Sequence, residues 1–166
     1  MRALGCGAAI ALLASTAVAA ASFSGRVVSV SDGDTIAVMR DGRAQRVRLH
    51  GIDCPESGQA YGTRAKQFTA GLAFGNLVTI TIKDTDRYGR TVGQVNLPDG
   101  KNLAHELLRA GLAWWYRQYA AKESLLARLE VEARTAKRGL WSDAQPMPPW
   151  EHRKHQRASR REYQVQ

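Results

Sequence analysis

The sequence predicts an α+β domain built on a small closed barrel, a five-stranded β-barrel of the OB type with about three helices. Three observations point there. Apolar and polar residues alternate over short segments punctuated by Asp-Gly turns, so the first strands connect by hairpins rather than by parallel crossovers. A single segment of helical period follows the third strand. The remaining helical segments fall at the C-terminal end.

Ser24 to Val30 carries Val27, Val28 and Val30 and predicts the first strand; Asp32-Gly33 marks a turn, and β-type residues resume from Thr35 to Met39. Asp41-Gly42 is a hairpin signal. Beyond it Val47 and Leu49 alternate with Arg46, Arg48 and His50, which places the two arginines on one face and the apolar pair on the other. The resulting three-strand meander is expected to end at Asp53. Pro55 stops it, and Ala65, Phe68 and Leu72 recur at helical spacing, predicting a helix from about Gly62 to Ala73. Asn76 opens a fourth strand in which Val78, Ile80 and Ile82 alternate with Thr79 and Thr81. Asp84 to Arg90 reads as a charged loop and Thr91 to Leu97 as the fifth strand. Asn102 caps a short helix carrying Leu103, Leu107 and Leu108, which Gly111 terminates. Leu125, Leu126, Leu129, Ala133 and Ala136 define a longer amphipathic helix with Gly139 just past its end. Between these helices, Trp114-Trp115-Tyr116-Arg117-Gln118-Tyr119 is too short and too polar for a core strand. No internal repeat is evident.

At 166 residues and 44% hydrophobic, the chain suits one domain with a substantial core. Its net charge of +9 is the informative number and points to a polyanionic partner, nucleic acid first. Residues 1–21 read as a secretory signal peptide, with Arg2, an apolar run from Ala8 to Ala14 and small-residue cleavage sites. That run is too short and Ala-rich to anchor in a bilayer, and no later segment spans one. An exported protein, secreted or periplasmic, is expected. Cys6 leaves with the leader, so Cys54 remains without a disulfide partner. The folded domain is expected over 22–145, followed over 146–166 by a Pro-containing basic tail, extended or disordered.

The chemistry-bearing residues gather between Asp32 and Glu56. Asp34 and Asp53 end strand-forming segments that hairpins can bring together, and their oxygens suit a hard cation such as Ca²⁺ or Mg²⁺. The bland reading of Asp32-Gly33-Asp34-Thr35 is turn punctuation. Glu56 follows Pro55 in a loop, where it could orient or deprotonate water or complement the dipole of the next helix. Arg48 and Arg90 supply guanidinium groups suited to a phosphoryl transition state, against a solvated face as the alternative. Cys54 reads as a small, partly buried turn residue. Tyr88, Tyr116 and Tyr119, with Trp114 and Trp115, offer stacking surfaces for bases. His50 and His105 read as incidental polar residues with no obvious catalytic partner.

Taken together these residues resemble the thermonuclease family, the staphylococcal-nuclease-like domain, from about Phe23 to Trp141. The Asp-Gly-Asp-Thr turn, Arg48-Leu49 through Asp53-Cys54-Pro55-Glu56, Asp86-Arg87-Tyr88-Gly89-Arg90, Asn102 to Gly111 and Gly139-Leu140-Trp141 carry the likeness. The resemblance implies Ca²⁺-dependent hydrolysis of DNA and RNA to 3′-phosphate products; separately, a monomer is expected. By position, Asp34 and Asp53 would bind Ca²⁺ through carboxylates and Cys54 through its backbone carbonyl. Glu56 would position or deprotonate water, Arg48 and Arg90 would be the catalytic arginines, and Arg87 and Tyr88 would contact nucleotide phosphate. Gapless alignment sets Arg117 and Tyr119 at two base-contacting tyrosine positions, and a one-residue shift brings Tyr116 to the first. The rival readings are a catalytically inactive OB-fold nucleic-acid-binding module and an exported binder of anionic lipid or polysaccharide.

Overall fold

The computed structural model describes residues 21–164, so the expected leader lies outside the described residues except for its last position. Five strands close into a barrel: β1 (Ser22–Asp32), β2 (Thr35–Arg40), β3 (Arg43–Leu49), β5 (Leu77–Thr85) and β6 (Thr91–Asn96). Their order is β1-β2-β3-β6-β5, with β5 returning to β1. Every pairing is antiparallel except β3 with β6. That parallel seam closes the OB-type barrel. Val27, Ile36, Val38, Val47, Leu49, Val78, Ile80 and Val95 face inward and are all buried, whereas Ile82, which continues the alternation, is only partly buried. Burying each such side chain contributes about 1.5–3 kcal/mol relative to exposure. Asp41 and Gly42 both take positive φ, 49° and 75°, as a tight hairpin turn of matching twist requires.

The meander ends at Leu49, four residues short of the expected Asp53. Gly51 adopts φ 77° and turns the chain away from the barrel. A Cβ there would lie 2.5 Å from Leu126 Cδ1, so this turn accepts only glycine without rearrangement. The redirected Ile52–Asp53 (β4) pairs antiparallel with Trp114–Trp115 (β7), which gives part of the aromatic cluster a strand it was not expected to form. Trp114 is buried there, as is expected of one tryptophan of the pair.

Helix α1 (Gly62–Ala73) buries Ala65, Thr69 and Ala73. Helix α2 (Leu103–Arg109) is capped by Asn102, whose side chain accepts from the backbone N–H groups of Ala104 at 3.0 Å and His105 at 3.2 Å. Helix α4 (Ser124–Thr135) packs through Leu126, Leu129 and Ala133. These are the three expected helices. A single turn, α3 (Arg117–Ala120), and a 3₁₀ turn at Gly139–Ser142 join them.

The basic tail is a helix instead of an extended segment: α5 covers Pro149–Gln164. Pro149 sits at its first position, where proline's fixed φ suits helix entry, and Glu151 lies in the first turn. The residues that follow are mostly good helix formers, and charge density alone does not override that propensity once a first turn is anchored. Trp150 and Arg153, three apart and therefore on one face, supply the anchor. From Lys154 to Tyr163 the side chains are exposed. No described helix is long and apolar enough to cross a membrane.

Candidate active site

The β1–β2 turn, the end of β3 and β4 meet at one rim of the barrel. Gly33 lets them close: a Cβ on it would stand 2.8 Å from the Cβ atoms of both Ala65 and Cys54. Thr69, buried on α1, donates its hydroxyl to the Gly33 carbonyl at 2.6 Å and fixes the turn from below. Asp34 thereby sits at the rim with 2% exposure and Asp53 with 1%. Register does the rest, because Thr35 pairs with Arg48 across β2 and β3.

Arg48 bridges the two carboxylates. Its Nη1 donates to Asp34 Oδ1 at 2.8 Å and its Nη2 to Asp53 Oδ1 at 2.7 Å. Asp34 also accepts from the Thr35 hydroxyl at 3.1 Å and from the Cys54 backbone N–H at 2.8 Å. Burial nevertheless dominates, and the Asp34 carboxyl is pushed up to about 6 despite the lowering effect of Arg48. The folded chain therefore holds that proton more tightly than the unfolded chain. The resulting stabilisation is full below the ordinary carboxylate range and is lost as pH rises through about 6. Burial also opposes the charge on Arg48, but Asp34 and then Asp53 outweigh it and raise its pKa. Cys54 is a free, buried thiol whose pKa burial raises further, which matches a packing residue and not a nucleophile.

Arg90 reaches the same cluster from the far side. Its Nε donates to Asp86 Oδ2 at 2.7 Å, and its Nη1 lies 3.4 Å from the Thr35 hydroxyl that serves Asp34. Glu56 stands at the mouth, its side chain 39% exposed. Tyr116 flanks the cluster: its backbone N–H donates to the Gly51 carbonyl, and burial followed by the charge of Asp53 raises its phenol pKa. Its ring centroid lies 5.0 Å from that of Tyr119, which is exposed. Arg87 and Tyr88 project from the Asp86–Arg90 loop, with the Arg87 guanidinium donating to the Tyr88 hydroxyl at 2.7 Å. The fold thus unites Asp34, Arg48, Asp53, Glu56 and Arg90, sets Tyr116 beside them and leaves Arg87 and Tyr88 on an outer loop.

Three features escaped the sequence reading. His50 has a partner, with Nε2 2.8 Å from Glu123 Oε1, supplied by the loop before α4. Glu130, buried on α4, accepts the Trp115 backbone N–H at 3.0 Å and so braces the β4–β7 ribbon. The third is Arg153 of α5. It donates to Asp53 Oδ2 at 2.6 Å through Nη2 and to Glu56 Oε1 at 2.5 Å through Nη1. Burial opposes its charge, and Asp53 and Glu56 more than restore it. The one usable signal was the spacing of Trp150 and Arg153 directly after Pro148-Pro149, which a basic run disguised.

The donor set is all oxygen. Asp34 and Asp53 are its buried members, and no described group of three or more His, Cys, Asp or Glu side chains is arranged to hold an ion. Two buried carboxylates held together by one guanidinium fit a hard cation in chemistry, provided backbone, water or substrate oxygens complete the shell.

An OB-type barrel with paired buried acids, a bridging arginine and a glutamate at the mouth is a barrel of the nuclease class. A profile of the family described as Staphylococcal nuclease homologue matches residues 46–143. An uncharacterized endonuclease of Escherichia coli O157:H7 is 50% identical over 139 residues, covering 82% of this chain and 90% of that protein. Micrococcal nuclease of Shigella flexneri is 43% identical over 156 residues, 89% of each chain. A probable staphylococcal-like nuclease of Oryza sativa subsp. japonica, CAN1, is 38% identical over 112 residues, 68% of this chain and 33% of its own. The chain belongs to the staphylococcal nuclease homologue family. Asp34 precedes the matched residues and α5 follows them.

Proposed function

We propose that this protein is an exported nuclease that hydrolyses phosphodiester bonds of DNA and RNA with low sequence specificity, depends on Ca²⁺ and leaves 3′-phosphate ends. The observation that carries the reading is the pair of buried carboxylates, Asp34 and Asp53, bridged by Arg48 beneath the half-exposed Glu56. A binding module has no need to bury two acids at the mouth of a basic protein, since each costs desolvation and repels the substrate.

Asp34 and Asp53 would hold the cation with the Cys54 carbonyl. When bound, it supplies Lewis acidity and neutralises phosphate charge. Glu56 orients the attacking water and takes its proton, as its loop position at the mouth allows. Arg48 and Arg90 face the phosphate from two sides and stabilise the charge that develops on its oxygens; both are fixed by ion pairs before substrate arrives, so little reorganisation is needed. Tyr116 and Tyr119 stack against bases without reading them, which accounts for low specificity. Arg87 and Tyr88 meet the substrate backbone from the outer loop.

The test is incubation of the purified protein with DNA and with RNA in Ca²⁺, in Mg²⁺ and in chelator. Cleavage of both polymers in Ca²⁺, abolished by chelation, is expected. Cleavage indifferent to chelator, or none in any buffer, would overturn the reading.

A further inference from the structure

Helix α5 lies beyond the residues that match the family profile, yet it occupies both halves of the cleft. Arg153 takes the outward oxygen of Asp53 at 2.6 Å and an oxygen of Glu56 at 2.5 Å. Those are one proposed cation-binding carboxylate and the proposed base. Three residues earlier, Trp150 stacks on Tyr116 with centroids 5.5 Å apart and planes 8° from parallel, and meets Trp114 edge-on at 5.7 Å. A nucleobase would seek that same face of Tyr116. The helix therefore places a guanidinium where positive charge is wanted and an indole where a flat ring is wanted. Its other ties are confined to its N-terminal end: Pro149 is buried, Trp150 also packs against the Trp114–Leu140–Trp141 cluster, and Gln59 Nε2 donates to the Met147 carbonyl at 2.5 Å, whereas the helix beyond Arg153 is solvated.

We propose that α5 is an intramolecular latch, a resident substitute for cation and nucleobase that Ca²⁺ and nucleic acid must displace before cleavage. This rests on the nuclease reading for its consequence but on contacts within the chain for its geometry. A carboxylate pinned to a guanidinium neither coordinates a cation through that oxygen nor accepts a proton from water, so the latched state is inactive. If the latch is closed in nine molecules of ten, opening it raises apparent cation affinity roughly tenfold.

The experiment is calorimetric titration of the purified protein with Ca²⁺, for the wild type, Arg153→Gln, and Arg157→Gln as an equal charge change on the solvated part of the same helix. Nuclear magnetic resonance follows the Trp150 indole N–H in parallel, assigned with Trp150→Phe. Arg153→Gln is expected to bind Ca²⁺ roughly tenfold more tightly while Arg157→Gln matches wild type. In wild type, saturating Ca²⁺ should move the Trp150 signal toward its position in Arg153→Gln. Equal affinities in all three proteins, or a Trp150 signal insensitive to Ca²⁺, would overturn the latch while leaving cleavage intact. Absence of Ca²⁺ binding in every variant would overturn both readings. Tight binding and a moving Trp150 without nucleic-acid cleavage would overturn only the nuclease.

A second inference rests on a different surface. A groove of about 680 Å³ runs from the β2–β3 hairpin to the Asp86–Arg90 loop, lined by Arg40, Arg43, Arg46, Tyr88 and Arg90, with Asp41 its one acid. Arg40 and Arg43 face each other across the hairpin register, and Arg90 links the groove to the carboxylate cluster. We infer that this groove carries the phosphates of a longer single strand leading away from the cleavage position. In chelator, binding of labelled single-stranded oligonucleotides of four and sixteen nucleotides would be measured against salt. The double variant Arg43→Gln/Arg46→Gln should lower the salt slope for the longer strand by roughly 1.4, about 0.7 per lost phosphate contact, and leave the shorter strand unchanged. An unchanged slope for the longer strand, or loss confined to anionic vesicles run alongside, would overturn it.

Discussion

Strand β3 and helix α5 each send one guanidinium to Asp53, Arg48 to Oδ1 and Arg153 to Oδ2, at 2.7 and 2.6 Å. The contacts are alike; the elements behind them are not. β3 is hydrogen-bonded on both edges, to β2 and to β6, and its Val47 and Leu49 are core residues. The backbone that carries Arg48 cannot move without opening the barrel. α5 is held only at its N-terminal end, by buried Pro149, by Trp150 against Tyr116 and the Trp114–Trp141 cluster, by Arg153 and by a loop carbonyl, and its far half is exposed. An ion pair is as permanent as the element that carries it, so equal distances mark a structural clasp in one case and a removable plug in the other.

The comparison is tested most severely by rate. Arg48→Gln should lower single-turnover cleavage by about 10³-fold or more, the scale of losing a guanidinium that stabilises phosphoryl charge. Arg153→Gln should not lower it at all. If the two variants fall together, Arg153 acts on substrate and the contrast collapses. Glu56→Gln should slow cleavage by about 10²–10⁴-fold with oligonucleotide affinity retained; unimpaired cleavage would remove Glu56 from its role as base. Stability separates the arginines next. Arg48→Ala leaves the buried Asp34 without its guanidinium, while Arg153 still serves Asp53, and should cost about 3–5 kcal/mol in urea unfolding without cation. Gly33→Ala, which forces a methyl against Ala65 and Cys54, should cost about 1–3 kcal/mol by overpacking. Arg153→Gln should change unfolding by less than about 1 kcal/mol, since Arg48 still serves Asp53. A larger loss would mean that α5 belongs to the fold.

The barrel and its three main helices were legible because each rests on a local period: alternation in Val27, Val38, Val47 and Val78, helical spacing in Leu126, Leu129 and Ala133, and a cap at Asn102. The site was legible where linked motifs carried it, in Asp34, Arg48, Asp53, Glu56 and Arg90. Illegible were the early departure of the chain at Gly51, the ribbon between Ile52–Asp53 and Trp114–Trp115, and the partners His50–Glu123 and Trp115–Glu130. Those pairings span long stretches of chain, and no local pattern reports them. Arg117 shows the limit in another way: its guanidinium lies 4.8 Å over the Trp115 ring, so the stacking face beside the cleft falls to Tyr116.

The amino-acid order alone was enough for the barrel and the family, because short-range periodicity and motif spacing encode them, and it singled out acids and arginines that the fold brings together. It also carried the helix-forming composition of residues 149–164, hidden under a charge run. Where that helix docks was settled by the folded chain, through the meeting of Trp150 with Tyr116 and of Arg153 with Asp53 and Glu56. Contacts between positions about a hundred residues apart depend on which faces the barrel leaves open. Only packing in three dimensions selects those faces.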